Sequence, residues 1–387
     1  MRYRAIVFVL VLVSCSVPSL NAATFTRLGG LPGGPFFSAA LGVSADGSTV
    51  VGYSRSPSGF EAFRWSEAGG MVPLGDLPGG AFWSVGYGTS ANDSVVVGYG
   101  KSVASSPGFE AFRWTQAGGT GGLGDLPGGA FASQAFGVSA DGSVVVGVGS
   151  SATGGEAFRW TQDTGMMGLG HLPGSDLSSV AYGVSGDGAA VAGFSITPSG
   201  REAFRWTQAG GMVGLGDLPG GAFSSAANGI SADGSTVVGD SISASGREAF
   251  RWTQAAGMIG LGDLPGGSFL SMARAVSADG TVVVGKGTTD SGAAAFVWYS
   301  EHGMYDVQEE LTRAGVDLTG WQLYEAYGVS GDGTTIVGWG CNPAGKAEAW
   351  RAVLAEPVPA PEPASLLIWA TVAAPIALLR LRRRGTT

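Results

Sequence analysis

Four aspartates recur at one place in a repeated phrase. Asp76, Asp125, Asp217 and Asp263 each stand third in Leu-Gly-Asp-Leu-Pro-Gly-Gly, and His171 and Gly30 hold that place in two other copies. Carboxylates gathered on one face can hold a divalent cation or form an acidic ligand-binding rim, while an Asp at a Gly-rich turn equally serves to cap its own backbone. The first reading predicts weak calcium binding, and no other cofactor is expected. A second set, Asp46, Asp141, Asp187, Asp233, Asp279 and Asp332, with Asn92 in register, lies in Asp-Gly-type turns. One carboxylate per turn lacks the alternating ligands of a calcium loop, so these are expected to shape turns. Trp65, Trp114, Trp160, Trp206, Trp252 and Trp298 could stack sugars, but Glu, Phe and Trp alternate along Glu-Ala-Phe-Arg-Trp, which predicts one buried strand face. The Arg of that phrase then lies on the opposite face, where it could meet the Glu of the next copy. With two His and two Cys, the chain cannot build a four-thiolate zinc site and has little imidazole for catalysis. The departures from the repeat are His171, Arg274, Lys286, His302, Trp321, Trp339 and Cys341. They supply no nucleophile, base and acid at a recognisable spacing, and no phosphate loop or Ser-His-Asp pattern occurs, so no enzyme is expected.

The elements that must position these residues are short. Of 387 residues, 69 are Gly and 18 Pro, which forbids long helices, while 44% are apolar, far too many for disorder. The body is therefore expected to be all-β. Glu-Ala-Phe-Arg-Trp begins at Glu61, Glu110, Glu156, Glu202 and Glu248, with degenerate copies at Ala294 and Glu348, and successive starts differ by 49, 46, 46, 46, 46 and 54 residues. Each unit reads as a first strand such as Ala135 to Ser139, an Asp-Gly turn, a Val-rich second strand, the Glu-Ala-Phe-Arg-Trp strand, and a fourth such as Met212 to Gly216. Four strands per 46 residues match a propeller blade. The seventh copy stops after its third strand, and a surplus fourth-type strand, Thr24 to Leu28, precedes the first. That balance predicts a seven-bladed β-propeller closed by the N-terminal strand, with an open β-solenoid array as the alternative.

The repeat resembles the HAF family of extracellular repeats, with its Ala-Phe-aromatic third strand, Leu-Gly fourth strand and Gly-Val-Val-Gly-type second strand. The resemblance covers about 24–354, with Glu where the family usually has His, and includes the stretch Tyr305 to Trp321 ahead of the last copy. It implies an extracellular setting and no particular activity.

The two ends carry addresses. Residues 1–23 combine Arg2 and Arg4, an apolar run from Ala5 to Val13 and a small-residue stretch ending Asn21-Ala22-Ala23, the pattern of a signal peptide. A lipoprotein reading around Cys15 is the alternative. Residues 355–363 form a Pro-rich linker ending Pro361-Glu362-Pro363; the uncharged run Ala364 to Leu379 and then Arg380, Arg382, Arg383 and Arg384 follow within 364–387. Sixteen uncharged residues would make a marginal membrane helix, held with its basic end in the cytoplasm by the positive-inside rule. The tail resembles the PEP-CTERM sorting signal. That resemblance implies transient anchoring in the inner membrane, recognition and cleavage by an exosortase, and delivery to the cell surface or a biofilm or exopolysaccharide matrix. Across 24–362 fifteen positive charges face thirty negative ones, a net of −15 that argues against a nucleic-acid partner. An extracellular polysaccharide or a surface protein is the expected partner, in a binding or structural role; a glycan-active propeller enzyme is the alternative.

Overall fold

The computed structural model describes residues 22–106, 108–174 and 178–354. The expectations for the signal peptide, the linker and the C-terminal tail fall outside the described residues. Among the described residues no helix is long and apolar enough to cross a membrane.

The chain forms repeated four-stranded antiparallel sheets in sequential order. In the fourth unit the strands are Ser179–Val184, Ala190–Thr197, Gly200–Thr207 and Gly211–Gly214. The first two units are bridged into one eight-stranded sheet by a parallel pairing of Phe60 with Trp83. Val-rich second strands sit in the middle of each sheet, where β-branched side chains pack well on a pleated surface. The Gly that ends each Val run is required. At Gly193 a Cβ would lie 1.9 Å from the Val180 carbonyl oxygen, opposite a bulge between Ala181 and Gly183.

The N-terminal strand β1 (Thr24–Gly29) pairs with Ala347–Val353 and supplies the outer strand of the last sheet. No sheet closes on itself, but the bonds joining consecutive sheets return to their start. The backbone N–H of Ala45 donates to Ala91, Ala91 to Ala140, Ala140 to Gly186, Gly186 to Ala232, Ala232 to Ala278, Ala278 to Gly331, and Gly331 back to Ala45, at 2.8–3.3 Å. A second set of links joins the first strand of six units to the third strand of the unit before it. Ser84 Oγ accepts from Ala62 N–H at 3.0 Å, and Ser38 Oγ accepts in the same way from Ala349 at 2.9 Å, last unit to first.

The core lies between sheets. Phe63, Phe112, Phe158, Phe204, Phe250, Phe296 and Trp350 are fully buried. One cluster combines Val97 and Ala111 of the second unit with Ala135, Val145 and Phe158 of the third, with Trp160 packed against it. The repeated Trp thus belong to inter-sheet packing, and truncating one of these Phe to Ala would cost about 3–5 kcal/mol.

Among the described residues one helix, Val307–Arg313, departs from the all-β expectation. Asp306 Oδ1 accepts from the N–H groups of Gln308 (2.7 Å) and Glu309 (3.2 Å), Glu309 and Glu310 occupy the first turn and Arg313 the last. This capped, charge-ordered signature is local and readable, but a Gly-dominated composition hides it. Val307 and Leu311 are buried in one cluster with Val297. That position holds Arg in six other units, and here an apolar residue suits the helix packed nearby.

Candidate functional site

The two ends of the strands differ. At the Asp-Gly end every unit repeats one network. Ser185 Oγ donates to Asp187 Oδ1 (2.6 Å) and accepts from Ala190 N–H (2.9 Å), and Asp187 Oδ1 accepts from Ala189 N–H (3.0 Å). Such bonds favour the ionised carboxylate. Ser139 and Ser143 hold Asp141 at a pKa of about 2, and Ser231 and Ser235 do the same to Asp233. The turns need a positive φ, supplied by Gly in six units; in the second, Asp93 adopts φ 56° and pairs with Arg64 at 2.5 Å.

The expected pairing of Glu with Arg between units does not form. The Arg reaches the next unit's turn instead: Arg205 Nε donates to Gly234 O at 2.9 Å, and Arg351 Nε to Gly47 O at 2.9 Å, from the last unit to the first. The Glu turns to its own crossover, as where Gly170 N–H donates to Glu156 Oε1 at 2.9 Å. Both partners are backbone groups, which residue types alone do not announce.

The four crossover aspartates lie at the opposite end. Asp76 accepts from Leu77 N–H (2.8 Å) and Trp83 N–H (2.7 Å), Asp125 from Ala132 N–H (2.7 Å) and Ser150 N–H (2.8 Å), and Asp263 from Leu270 N–H (2.9 Å). These bonds tie each crossover to adjoining strands. Asp217 is half-buried at the equivalent place. Burial pushes the Asp76 and Asp263 carboxyls above the ordinary value, against the backbone donors that favour ionisation. Among the described residues no three His, Cys, Asp or Glu side chains are grouped as metal ligands. His171, in the same register, places Nε2 3.4 Å from Thr153 Oγ1.

The structure draws attention to a place the aspartates do not reach. The first strands gather together, and the residue before their Gly, or before Ala275 in the sixth unit, faces their common middle: Leu41, Tyr87, Phe136, Tyr182, Asn228, Arg274 and Tyr327. The adjoining Gly lets strands approach closely; at Gly137 a Cβ would come within 2.8 Å of Tyr182 O. These residues line a cavity of about 330 Å³ together with Arg201, Asp240, Arg247 and Met272.

Its wall has two unlike halves. Tyr87, Phe136 and Tyr182 line one part of it, and behind them ring contacts run from Phe37 through Phe60 (5.6 Å), Trp83 (6.4 Å), Tyr99 (5.5 Å), Phe136 (6.1 Å) and Tyr182 (5.1 Å) to Phe194 (6.1 Å). Outside this arc Phe36, Phe82, Phe131 and Phe269 are exposed on the crossovers. Beside the rings stand charges, and the Arg201 guanidinium lies 4.9 Å from the Phe194 ring. Asp240, 5% exposed, is gripped by Arg201 (3.2 Å) and by Arg247, and accepts from Asn228 Nδ2 at 3.2 Å. Arg274 Nε donates to buried Glu325 at 2.8 Å and its guanidinium lies 5.5 Å from the Tyr327 ring. Burial would lower the Arg274 pKa, but Glu325 and the tyrosines more than offset it and the group stays cationic. Burial also raises the pKa of Tyr87, Tyr182 and Tyr327, so all three stay neutral hydroxyls.

Of the departures from the repeat, Arg274 alone lines this cavity; Trp321 is buried beneath the helix, and Trp339 and Cys341 sit on the second strand of the last unit. The cavity residues carried a signal nonetheless. The place before Gly in first strands (before Ala275 in the sixth unit) changes from unit to unit while its small neighbours recur, and so does the place after Gly in second strands (Tyr53, Tyr99, Val148, Phe194, Asp240, Lys286, Trp339), of which Asp240 lines the cavity.

No protein family and no curated protein matches the chain. Solved structures do. An oligogalacturonate lyase from Vibrio parahaemolyticus is 11% identical with a TM-score of 0.55 over 86% of this chain and 94% of that one. A prolyl endopeptidase (12%, TM-score 0.52) and a puromycin hydrolase (14%, 0.52) match 87% and 83% of this chain, which spans about half of each, 51% and 54%. These likenesses define the fold, that of a β-propeller, and nothing narrower.

Proposed function

We propose that this is an exported seven-bladed β-propeller, closed by Thr24–Gly29, that binds extracellular polysaccharide at its crossover face. Closure is supported by bonds between the last and first units of the kinds that join consecutive ones. The observation that carries the binding reading is that variation among otherwise uniform units is concentrated around one cavity, where an aromatic arc stands beside polar groups. Aromatic faces with a few placed polar groups suit sugar rings. Export, HAF-type repeats and a PEP-CTERM tail complete the proposal. The chain pauses in the inner membrane, is cleaved near Pro361-Glu362-Pro363 by an exosortase and joins the surface or matrix as a non-enzymatic component.

An enzyme reading needs unlike acids at the ring centre; Asp240 lines the cavity, and Glu325 is held by Arg274, which also lines it. Both are engaged by guanidinium groups, and no other acid lines the cavity among the described residues, so a general acid and base pair is not provided. The binding role is the better supported.

A glycan array probed with the purified chain tests the reading: retention of a restricted set of saccharides is expected, and retention of none overturns it. The sorting tail is tested by fractionation. In a host lacking the processing enzyme, the full chain should stay with membranes and a chain ending at Glu356 should not; identical behaviour rejects the tail.

A further inference from the structure

The charged half of the cavity wall points to the kind of saccharide. Arg201 and Arg247 share the single carboxylate of Asp240, and Arg274 takes Glu325. Three guanidinium groups thus stand against two carboxylates, leaving one positive charge in the middle of a strongly acidic chain. Arg201 is 31% exposed and Arg247 37%, so each keeps donors open toward the cavity beyond those spent on Asp240. The buried Nε of Arg201 has no hydrogen-bond partner at all. A guanidinium with unspent donors beside a low-dielectric wall is best satisfied by an anion, and its planar fork matches a carboxylate in particular. One surplus charge matches a monoanion better than a phosphate dianion. Lys286 stands at Asp240's register in the next unit but does not line the cavity.

Sharing the cavity with these groups are the rings of Tyr87, Phe136 and Tyr182. A cavity of about 330 Å³ lies at the small end of the usual range for ligand pockets, roughly 300–1,000 Å³. It suits one sugar residue with its neighbours running out over the exposed crossover Phe. We infer that the saccharide is acidic: a hexuronate residue enters the cavity, its carboxylate meets Arg201 and Arg247, and its ring lies against the aromatic arc. This rests on the polysaccharide-binding reading and narrows it.

The test is calorimetric titration of the purified full chain with oligogalacturonate, with the neutral galactose oligomer of equal length, and with inorganic phosphate. The acidic oligomer should bind at least tenfold more tightly than the neutral one, weaken as sodium chloride rises, and lose tenfold or more in the Arg201→Gln/Arg247→Gln variant. Should that variant fail to fold, Arg201→Lys/Arg247→Lys keeps the charge but removes the fork and should still lose several-fold. Equal binding of acidic and neutral oligomers, insensitive to salt, overturns the inference and leaves the polysaccharide reading standing. Phosphate binding as tight as oligogalacturonate reduces the cavity to a general anion site and also overturns it. Binding of no oligomer, with an empty glycan array, removes both readings.

Discussion

The Asp-Gly end of the strands and the cavity between the first strands are built by the same units, yet one repeats and the other does not. At the first, Ser, Asp and Gly recur because each unit must make the same turn and hand the same carbonyl to its neighbour's Arg. At the second, the side chains that line the cavity meet partners that differ from unit to unit, ring against ring at Phe136 and Tyr182 and charge against charge at Arg201 and Asp240, and the sequence diverges. Uniformity therefore marks where the units hold each other, and divergence marks where the molecule meets something else.

The harshest way to break this comparison is to break the ring. Deleting Thr24–Gly29 leaves the Ala347–Val353 strand with an unpaired edge, and Tm is expected to fall by roughly 10 °C or more, or the protein to aggregate. A stable monomer by size-exclusion chromatography would favour an open array. Next, Ser185→Ala removes a buried hydroxyl that both donates and accepts at the uniform end. It should cost about 1–3 kcal/mol in denaturant unfolding. Tyr182→Phe at the cavity should change stability by less than about 0.5 kcal/mol, because the hydroxyl, not the ring, is lost. Equal effects of the two would erase the contrast between end and cavity.

Acid titrates the uniform end. Asp141 and Asp233 are held at about 2, below their unfolded value of about 3.9, so their contribution is present above that value and is lost as pH falls from about 4 through about 2. Melting followed from pH 5 to pH 2.5 should show this loss, and Asp141→Asn/Asp233→Asn should flatten it. The effect is small because both carboxylates face solvent. Smallest of all is calcium. Asp76 and Asp125 each spend both oxygens on backbone donors, so millimolar calcium should shift Tm by less than about 1 °C. A larger shift that disappears when Asp76, Asp125, Asp217 and Asp263 all become Asn would restore the cation-rim reading.

The four-strand unit was legible residue by residue. The Asp-Gly turns, the buried Phe of the third strand and the spare strand at Thr24 follow from turn chemistry, strand alternation and counting, all of which act within one unit or one tally of the chain. Even the helix at Val307–Arg313 was written locally in its cap and charges. What local patterns do not carry is which unlike units face one another across the middle. Tyr87 and Arg274 are 187 residues apart in sequence and share one cavity wall. Glu156 and Arg205 looked like partners across a boundary and instead bind backbone groups. Sequence by itself determined the repeat, the strands and the turns, because those depend on backbone geometry and on neighbours a few residues away. Tertiary structure alone decided the pairing of side chains and the cavity. Both depend on how the sheets are disposed around the axis, where a residue's neighbours come from other units at contacts no single repeat encodes.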